Sequence, residues 1–296
     1  MASDGKTAVL YLLSALSLAQ TTGDGLSVGA AVLLGVIEGI TEWLPISSTG
    51  HLAVTQELLG IDGDAADSYA IAIQAGAILA VLGLYRARFV SIVDGIRGGD
   101  PEGRRLLLAL VVAALPAAVT GLLFEDAIKE HLFGIGPVVV AWFLGGVAIL
   151  VVARRRRDVS PDAGELISSL TWRSALIIGL AQVLALWPGV SRSLVTILAA
   201  TAVGLAVPAA VEFSFLLGFV VLGGATAYET LSSGSEMVAA YGYWTPLLGL
   251  AVALVASIVA MRWMVAYLNR RGLGVFGWYR IGIAIVVGGL LVTGTI

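Results

Sequence analysis

The chain contains no cysteine, which removes disulfides, thiolate nucleophiles, Fe–S clusters and Cys-ligated zinc from consideration. It is also short of charge. Only 12% of its 296 residues are Asp, Glu, Lys or Arg, about half of the roughly 25% typical of soluble domains. Lysine is nearly absent, since the 17 Lys and Arg residues are almost all Arg, and there are only 2 histidines. No basic block runs long enough to follow a polyphosphate backbone, so nucleic acid is not an expected partner. What is abundant is apolar surface: 58% hydrophobic residues and a mean hydropathy of +0.97 exclude a soluble globule and point to a chain solvated by lipid.

A helix needs about 20 apolar residues to cross a bilayer core. Stretches of that kind lie near 69–85, 104–123, 137–153, 207–228, 243–268 and 277–295, which predicts six spans. A shorter apolar stretch, Thr7–Gln20, follows Lys6 and reads as an extra helix within an N-terminal extension, residues 1–25, with a signal-like segment as the other reading. The connectors alternate in charge. Arg86, Arg88, Arg97, Arg104 and Arg105 fall in one, Arg154 to Arg157 and Arg173 in another, and Arg270 with Arg271 in a third. The segments 59–68, 124–136 and 229–242 are acidic or nearly uncharged. By the positive-inside rule the Arg-bearing connectors are cytoplasmic, and the assignment alternates consistently across all six spans.

Two hydrophobic segments remain, 26–60 and 172–206, each interrupted by Pro and small polar residues. Thirty-five residues cannot make two crossings and a turn, so each reads as a re-entrant helix–loop–helix. Such backbone is tolerated at depth only where protein or a water-filled cavity satisfies it. The two segments echo each other at an offset of 144 residues: Gly35 precedes Ser47-Ser48-Thr49 as Gly179 precedes Ser191-Arg192-Ser193. A weaker echo relates Ala70–Gly76 to Phe213–Gly218. Three spans separate the segments, so the second enters from the opposite face. The expected fold is an all-α polytopic membrane protein: one domain over 26–296 built as an inverted-topology repeat, about 26–153 and 172–296, with opposed re-entrant loops meeting near the midplane.

Ionisable residues inside a bilayer are costly and mark function by default. Glu38 and Glu42 are the only charges between Asp24 and His51, and their spacing puts both carboxylates on one helical face. They would repel unless a cation lay between them or one were protonated, so they are candidate ligands for a divalent cation, Mg²⁺ first and Ca²⁺ second, or a candidate base. A structural, Arg-paired acid is the plainer alternative. After Pro45 come Ser47, Ser48, Thr49, Gly50 and His51, hydroxyls and free N–H groups at a helix start that also describe an ordinary N-cap. Ser48 and His51 are candidate nucleophile and proton-transfer group, in either order. In the second loop, Arg192 is the sole Arg or Lys from Ser174 through Met261. Its anion is either internal, from Glu38, Glu42 or Glu212, or a substrate phosphate, which guanidinium binds bidentately. Gly189, Ser191, Ser193 and Thr196 complete a second phosphate cradle. Gln74 reads as a helix–helix hydrogen bond, and Tyr279 and Arg280 as interfacial anchors.

The stretches Glu38-Gly-Ile-Thr-Glu42-Trp-Leu-Pro45-Ile-Ser-Ser-Thr-Gly-His51 and Pro188-Gly-Val-Ser-Arg192-Ser resemble the two signature motifs of the undecaprenyl-diphosphate phosphatase family, also called the bacitracin-resistance protein family. Similarity continues through Ile73–Val81, Glu212–Leu217 and Tyr279-Arg-Ile, about residues 28–296 in all. The resemblance implies a plasma-membrane phosphatase that removes the terminal phosphate of a polyprenyl diphosphate, recycling a lipid carrier for envelope glycans. It also implies six spans, two opposed re-entrant loops and a site open to the extracytoplasmic side. Leu194-Val195 replaces the usual Gly-Ala, and Gly218-Phe-Val lacks the usual Pro; these departures bear on packing and lipid preference. The competing function is a lipid-carrier flippase or ion-coupled transporter using the same cavity, in which no nucleophile is needed. The expected partners besides the substrate are membrane lipids; helices apolar all round permit a homodimer but do not demand one.

Overall fold

The structure, a computed structural model, describes residues 26–155 and 160–296; the Thr7–Gln20 helix expectation, Arg156 and Arg157 lie outside the described residues. The described residues form twelve α-helices and two short 3₁₀ turns, with one isolated bridge, Glu165 to Leu205, in place of any sheet. In chain order these are α1 (Val28–Thr41), α2 (Ser48–Leu59), α3 (Asp64–Leu84), α4 (Arg86–Ile96), α5 (Pro101–Leu123), α6 (Glu125–Leu132) and α7 (Ile135–Arg155), followed by α8 (Trp172–Gln182), α9 (Arg192–Ala202), α10 (Val207–Tyr241), α11 (Trp244–Arg271) and α12 (Gly274–Val292).

Six of them, α3, α5, α7, α10, α11 and α12, are long and apolar enough to cross a membrane, and the chain is a multi-pass integral membrane protein. They correspond to the six stretches read from hydropathy. The connectors differ from expectation. The Arg-rich and acidic segments after α3 and α5 are helical, as α4 and α6. The expected connector over 229–242 is a continuation of α10, which runs for 35 residues until Gly242 takes φ +68. That extension carries no proline, Thr230 and Ser232 return their hydroxyls to the preceding turn, and Met237 is buried in a hydrophobic cluster shared with α1 and α3. Local polarity marked it as a loop; a tertiary contact keeps it helical.

Besides α4 and α6, four shorter helices come as two pairs, α1 with α2 and α8 with α9. Neither member of a pair is long enough to span a bilayer. α1 packs on α11, where Gly35 lies so close that an added Cβ would stand 2.6 Å from the Gly249 carbonyl oxygen; Ser257 donates to the Gly39 carbonyl at 3.1 Å. α8 packs on α5 in the same manner, Gly179 facing the Ala113 carbonyl with 2.5 Å left for a Cβ. α3 and α10 are joined by Ser68 to Glu229 at 3.2 Å and by Thr226 to Gln74 at 3.1 Å, the helix–helix bond expected of Gln74. α7 pairs with α12. These pairings carry the ends of the two short-helix pairs to one place in the bundle.

Candidate active site

α1 ends at Thr41, and Glu42 to Ile46 turn the chain back before Ser47, the N-cap position of α2. Proline cannot continue a helix, and the turn is anchored from outside it: the Trp142 indole donates to the Ile46 carbonyl at 2.9 Å. Ser47 takes φ 73 and ψ 102, a conformation few non-glycine residues adopt, and Ser191 takes φ 76 and ψ 113 at the corresponding point before α9. Two residues of one type share one rare conformation at the 144-residue offset. They are the only non-glycine residues with positive φ among those described. Strain of this kind persists only where surrounding contacts over-determine it.

The clamp is Arg280. Its side chain is fully buried, and it donates to the carbonyls of Pro45 at 3.3 Å, Gly189 at 2.8 Å, Ala141 at 2.9 Å and Trp142 at 3.3 Å. A buried guanidinium is tolerable when its donors are used. Here they join one carbonyl from each loop to α7. Reading Arg280 as an interfacial anchor is therefore corrected: the sequence places it in the first turns of α12, but packing of α12 on α7 draws it into the interior. A second seam joins the loops directly. Ser193 donates to the Leu44 carbonyl at 2.9 Å, accepts from Ser191 at 3.0 Å, and the Ser191 oxygen in turn caps the Leu194 N–H at 3.3 Å.

Between the loops lie the charged groups. The Ser48 hydroxyl donates to Glu42 Oε2, and Glu42 Oε1 accepts from Arg192 Nη2 at 2.9 Å. Arg192 Nη1 donates to the Ser214 carbonyl at 2.8 Å, and its guanidinium lies 5.0 Å above the Trp43 ring. The pair is nearly dry, at 9% and 6% side-chain exposure. Of the internal anions open to Arg192, the structure uses Glu42; Glu212 pairs instead with Arg88 at 2.6 Å. Glu38 stands one turn before Glu42, 1% exposed, and neither of its carboxylate oxygens has a hydrogen-bond partner among the described residues.

His51 does not pair with Ser48. Its Nδ1 lies 2.6 Å from the Ser47 carbonyl, which only accepts, so that nitrogen carries the proton; Nε2 is then free to accept from the Tyr279 hydroxyl at 2.8 Å. Its ring stacks on Tyr279. Thr196 is fully buried, with its hydroxyl committed to the Arg192 carbonyl at 2.8 Å and to Ser214 at 2.6 Å. Thr49 is exposed and stands apart from this cluster. Gly189 contributes its carbonyl to Arg280, at φ +93.

The donor set fits a divalent cation only in part. Among the described residues no three His, Asp or Glu side chains converge as a complete metal site. Mg²⁺, however, is commonly held by one or two carboxylates together with phosphate oxygens and water. The unpaired Glu38 oxygens beside Glu42 suit that arrangement.

Residues 31–286 match the family described as Bacitracin resistance protein BacA. The chain belongs to that family. Among the curated BacA relatives, an undecaprenyl-diphosphatase of Sorangium cellulosum is 45% identical over 258 residues, covering 87% of this chain and 84% of the relative. An undecaprenyl-diphosphatase of Methylococcus capsulatus is 42% identical, and undecaprenyl-diphosphatase 2 of Rhodospirillum rubrum 43% identical, each match covering 87% of this chain and 92% of the relative.

Three residues named in the sequence of this BacA-family chain were not placed at the site by it. Arg280 and Tyr279 sit beside the loops although more than 80 residues separate them from either motif. Gly218 is the third: a Cβ there would come within 2.5 Å of the Arg192 guanidinium carbon, so the glycine that replaces the expected proline-bearing sequence makes room for the cation. A usable signal existed for Arg280, which is a cation at the head of an otherwise apolar span.

Proposed function

We propose that the chain is an undecaprenyl-diphosphate phosphatase: it hydrolyses a polyprenyl diphosphate to the monophosphate and inorganic phosphate, regenerating the carrier lipid for envelope glycan synthesis. The names of the relatives supply the substrate class. The observation that carries the chemistry is the chain Ser48–Glu42–Arg192.

In this reading the isoprenoid lies between spans and the diphosphate enters between the loops. Arg192, whose Nε is buried and unpartnered, holds the terminal phosphoryl and neutralises charge as the bond breaks. Ser48 Oγ attacks the terminal phosphorus while its proton passes to Glu42. The bond from that phosphorus to the bridging oxygen breaks, and the lipid monophosphate leaves with the oxygen. Water then adds to the phosphoserine, the P–Oγ bond breaks, Glu42 returns its proton to Ser48, and the released phosphate carries the water oxygen and both its hydrogens. A divalent cation held by Glu38 and Glu42, Mg²⁺ or secondarily Ca²⁺, would supply positive charge against the diphosphate. Ser191 and Ser193 act by fixing the loops together, and Ser47 by presenting its carbonyl to His51, whose Nε2 and the Tyr279 hydroxyl form a separate route for protons.

Several relations support two inverted repeats with re-entrant loops. Ser47 and Ser191 share a backbone conformation, Arg280 joins Pro45 to Gly189, and Gly35 and Gly179 make matching close approaches, all at one offset. α1 on α11 mirrors α8 on α5. The Arg-bearing connectors support a cytoplasmic face on their side and a plasma-membrane setting with the site reached from the other.

The test is phosphate release from a polyprenyl diphosphate by detergent-purified protein, with Mg²⁺ or with EDTA, alongside Arg192→Ala and Ser48→Ala. Release by the wild type that both variants lose supports the assignment. A folded wild type that releases none across several chain lengths and metals overturns it in favour of the lipid transporter, and near-normal turnover in Arg192→Ala overturns the two-loop site.

A further inference from the structure

The buried side-chain nitrogens and oxygens without a partner, among the described residues, belong to four side chains: Glu38, Trp43, Arg192 and Gln182. The first three are in the site already described. Arg192 lies on the Trp43 ring and bonds Glu42, and Glu38 is one turn from Glu42. Gln182 is the exception, for neither signature motif contains it and no role above uses it.

Gln182 is the last residue of α8, where the helix gives way to the 3₁₀ turn Val183–Leu186 that leads into the second loop. It is 1% exposed, and both its amide nitrogen and its amide oxygen lack partners. A primary amide has two donors and two acceptor lone pairs, so leaving all of them unused in the interior is an unusual cost for one core residue. Its register explains it. Gln182 follows Glu38 by 144 residues, the offset that relates Gly35 to Gly179, Pro45 to Gly189 and Ser47 to Ser191. Each of those pairs shares one structural feature: a close approach to a helix carbonyl, a carbonyl bonded to Arg280, or a positive φ on a serine. Glu38 and Gln182 continue the series: each is buried, each is polar, and each is unpartnered.

The chemistry of the two differs in one respect. A carboxylate only accepts and draws cations; a neutral amide donates N–H groups without adding charge. From this placement we propose that Gln182 is a substrate-binding residue, donating its amide hydrogens to a phosphate oxygen of the diphosphate from the second repeat, as Glu38 stands at the matching position of the first. The assignment rests on the phosphatase reading and on the repeat. In it, one repeat supplies an acid for the cation and the other a neutral donor for the anion.

The experiment uses the full-length protein in detergent, with Gln182→Met, similar in shape but unable to donate, and Gln182→Glu, which donates nothing and adds a negative charge. The probe is a short-chain isoprenyl methylene-bisphosphonate, a diphosphate that cannot be hydrolysed. Thermal unfolding is followed with and without it, and kcat/KM is measured on a polyprenyl diphosphate. Gln182→Met is expected to unfold no earlier than the wild type without ligand, because an unpaired buried amide has gone. It should also lose most of the bisphosphonate-induced shift and drop in kcat/KM by about ten- to a hundredfold, the value of one hydrogen bond to a charged group. Gln182→Glu should lose more. If Gln182→Met unfolds earlier than wild type yet keeps the ligand shift and kcat/KM, the amide is a structural group and the proposal is overturned. Absence of hydrolysis by the wild type would instead overturn the phosphatase reading, so the two failures are separable.

Discussion

Pro45 and Gly189 lie 144 residues apart in the chain and give their carbonyl oxygens to one guanidinium, that of Arg280, at 3.3 and 2.8 Å. Neither loop is therefore held by its own sequence. Arg280→Met should leave four carbonyls without their donor, costing about 3 kcal/mol or more of stability, and should lower turnover by more than about a hundredfold. Arg280→Lys should recover little, because a single ammonium cannot reach carbonyls on both sides of a planar fork. Thermal unfolding with phosphate release checks both, and wild-type kcat in Arg280→Met would show that the loops do not need the clamp.

The Ser48–Glu42 bond makes a claim about proton flow. Ser48→Ala and Glu42→Gln should each reduce kcat by on the order of a thousandfold, and the double variant should be little worse than either, because groups acting as a unit are not additive. Single-turnover phosphate release is the measurement. Activity within about tenfold of wild type in Ser48→Ala would move the attack from the serine to water.

Gly218 offers a control on the same helix. Gly223 has open space around it, so Gly223→Ala should be neutral or stabilising by about 0.5–1 kcal/mol, as alanine is in helix interiors. Gly218→Ala should displace the Arg192 guanidinium and reduce kcat/KM by about tenfold or more. Equal activities in the two variants would mean that Arg192 acts from another position.

Tyr279→Phe removes the hydroxyl from His51 Nε2 while keeping the stacked ring. A loss of about three- to tenfold in kcat with KM unchanged is expected if the dyad carries protons during turnover. His51→Gln in the Tyr279→Phe background should then add little. Independent, multiplying losses would separate the two residues.

Glu38→Gln should raise the Mg²⁺ concentration needed for half-maximal activity by about tenfold or more, since one of two carboxylates is gone. Metal titration after EDTA treatment measures it. An unchanged titration would remove Glu38 from any cation site.

The six spans and the two Pro-interrupted segments were legible because lipid leaves a chain no option but to satisfy its backbone locally. Length, hydropathy and the charge of connectors are then enough. The residues Glu38, Glu42, Ser48, His51 and Arg192 stood out for a related reason, as polar groups in segments where each one is expensive. Their pairing was not legible. Ser48 was read with His51 as its proton-transfer group, but the turn from Glu42 through Ile46 brings it to Glu42 instead. Thr196 looked like its neighbours Ser191 and Ser193, but α10 presses Ser214 against it and takes its hydroxyl.

The amino-acid sequence by itself determined the membrane class, the six span-length helices among the described residues and which polar residues had to lie in the two loops, because these follow from short-range hydrogen bonding in an apolar solvent. Only the tertiary structure decided that Arg280 holds both loops, that Tyr279 is the partner of His51, and that α10 continues to Tyr241. Each of those depends on side chains from distant helices meeting at a few ångströms, and that is set by packing, which no local pattern encodes.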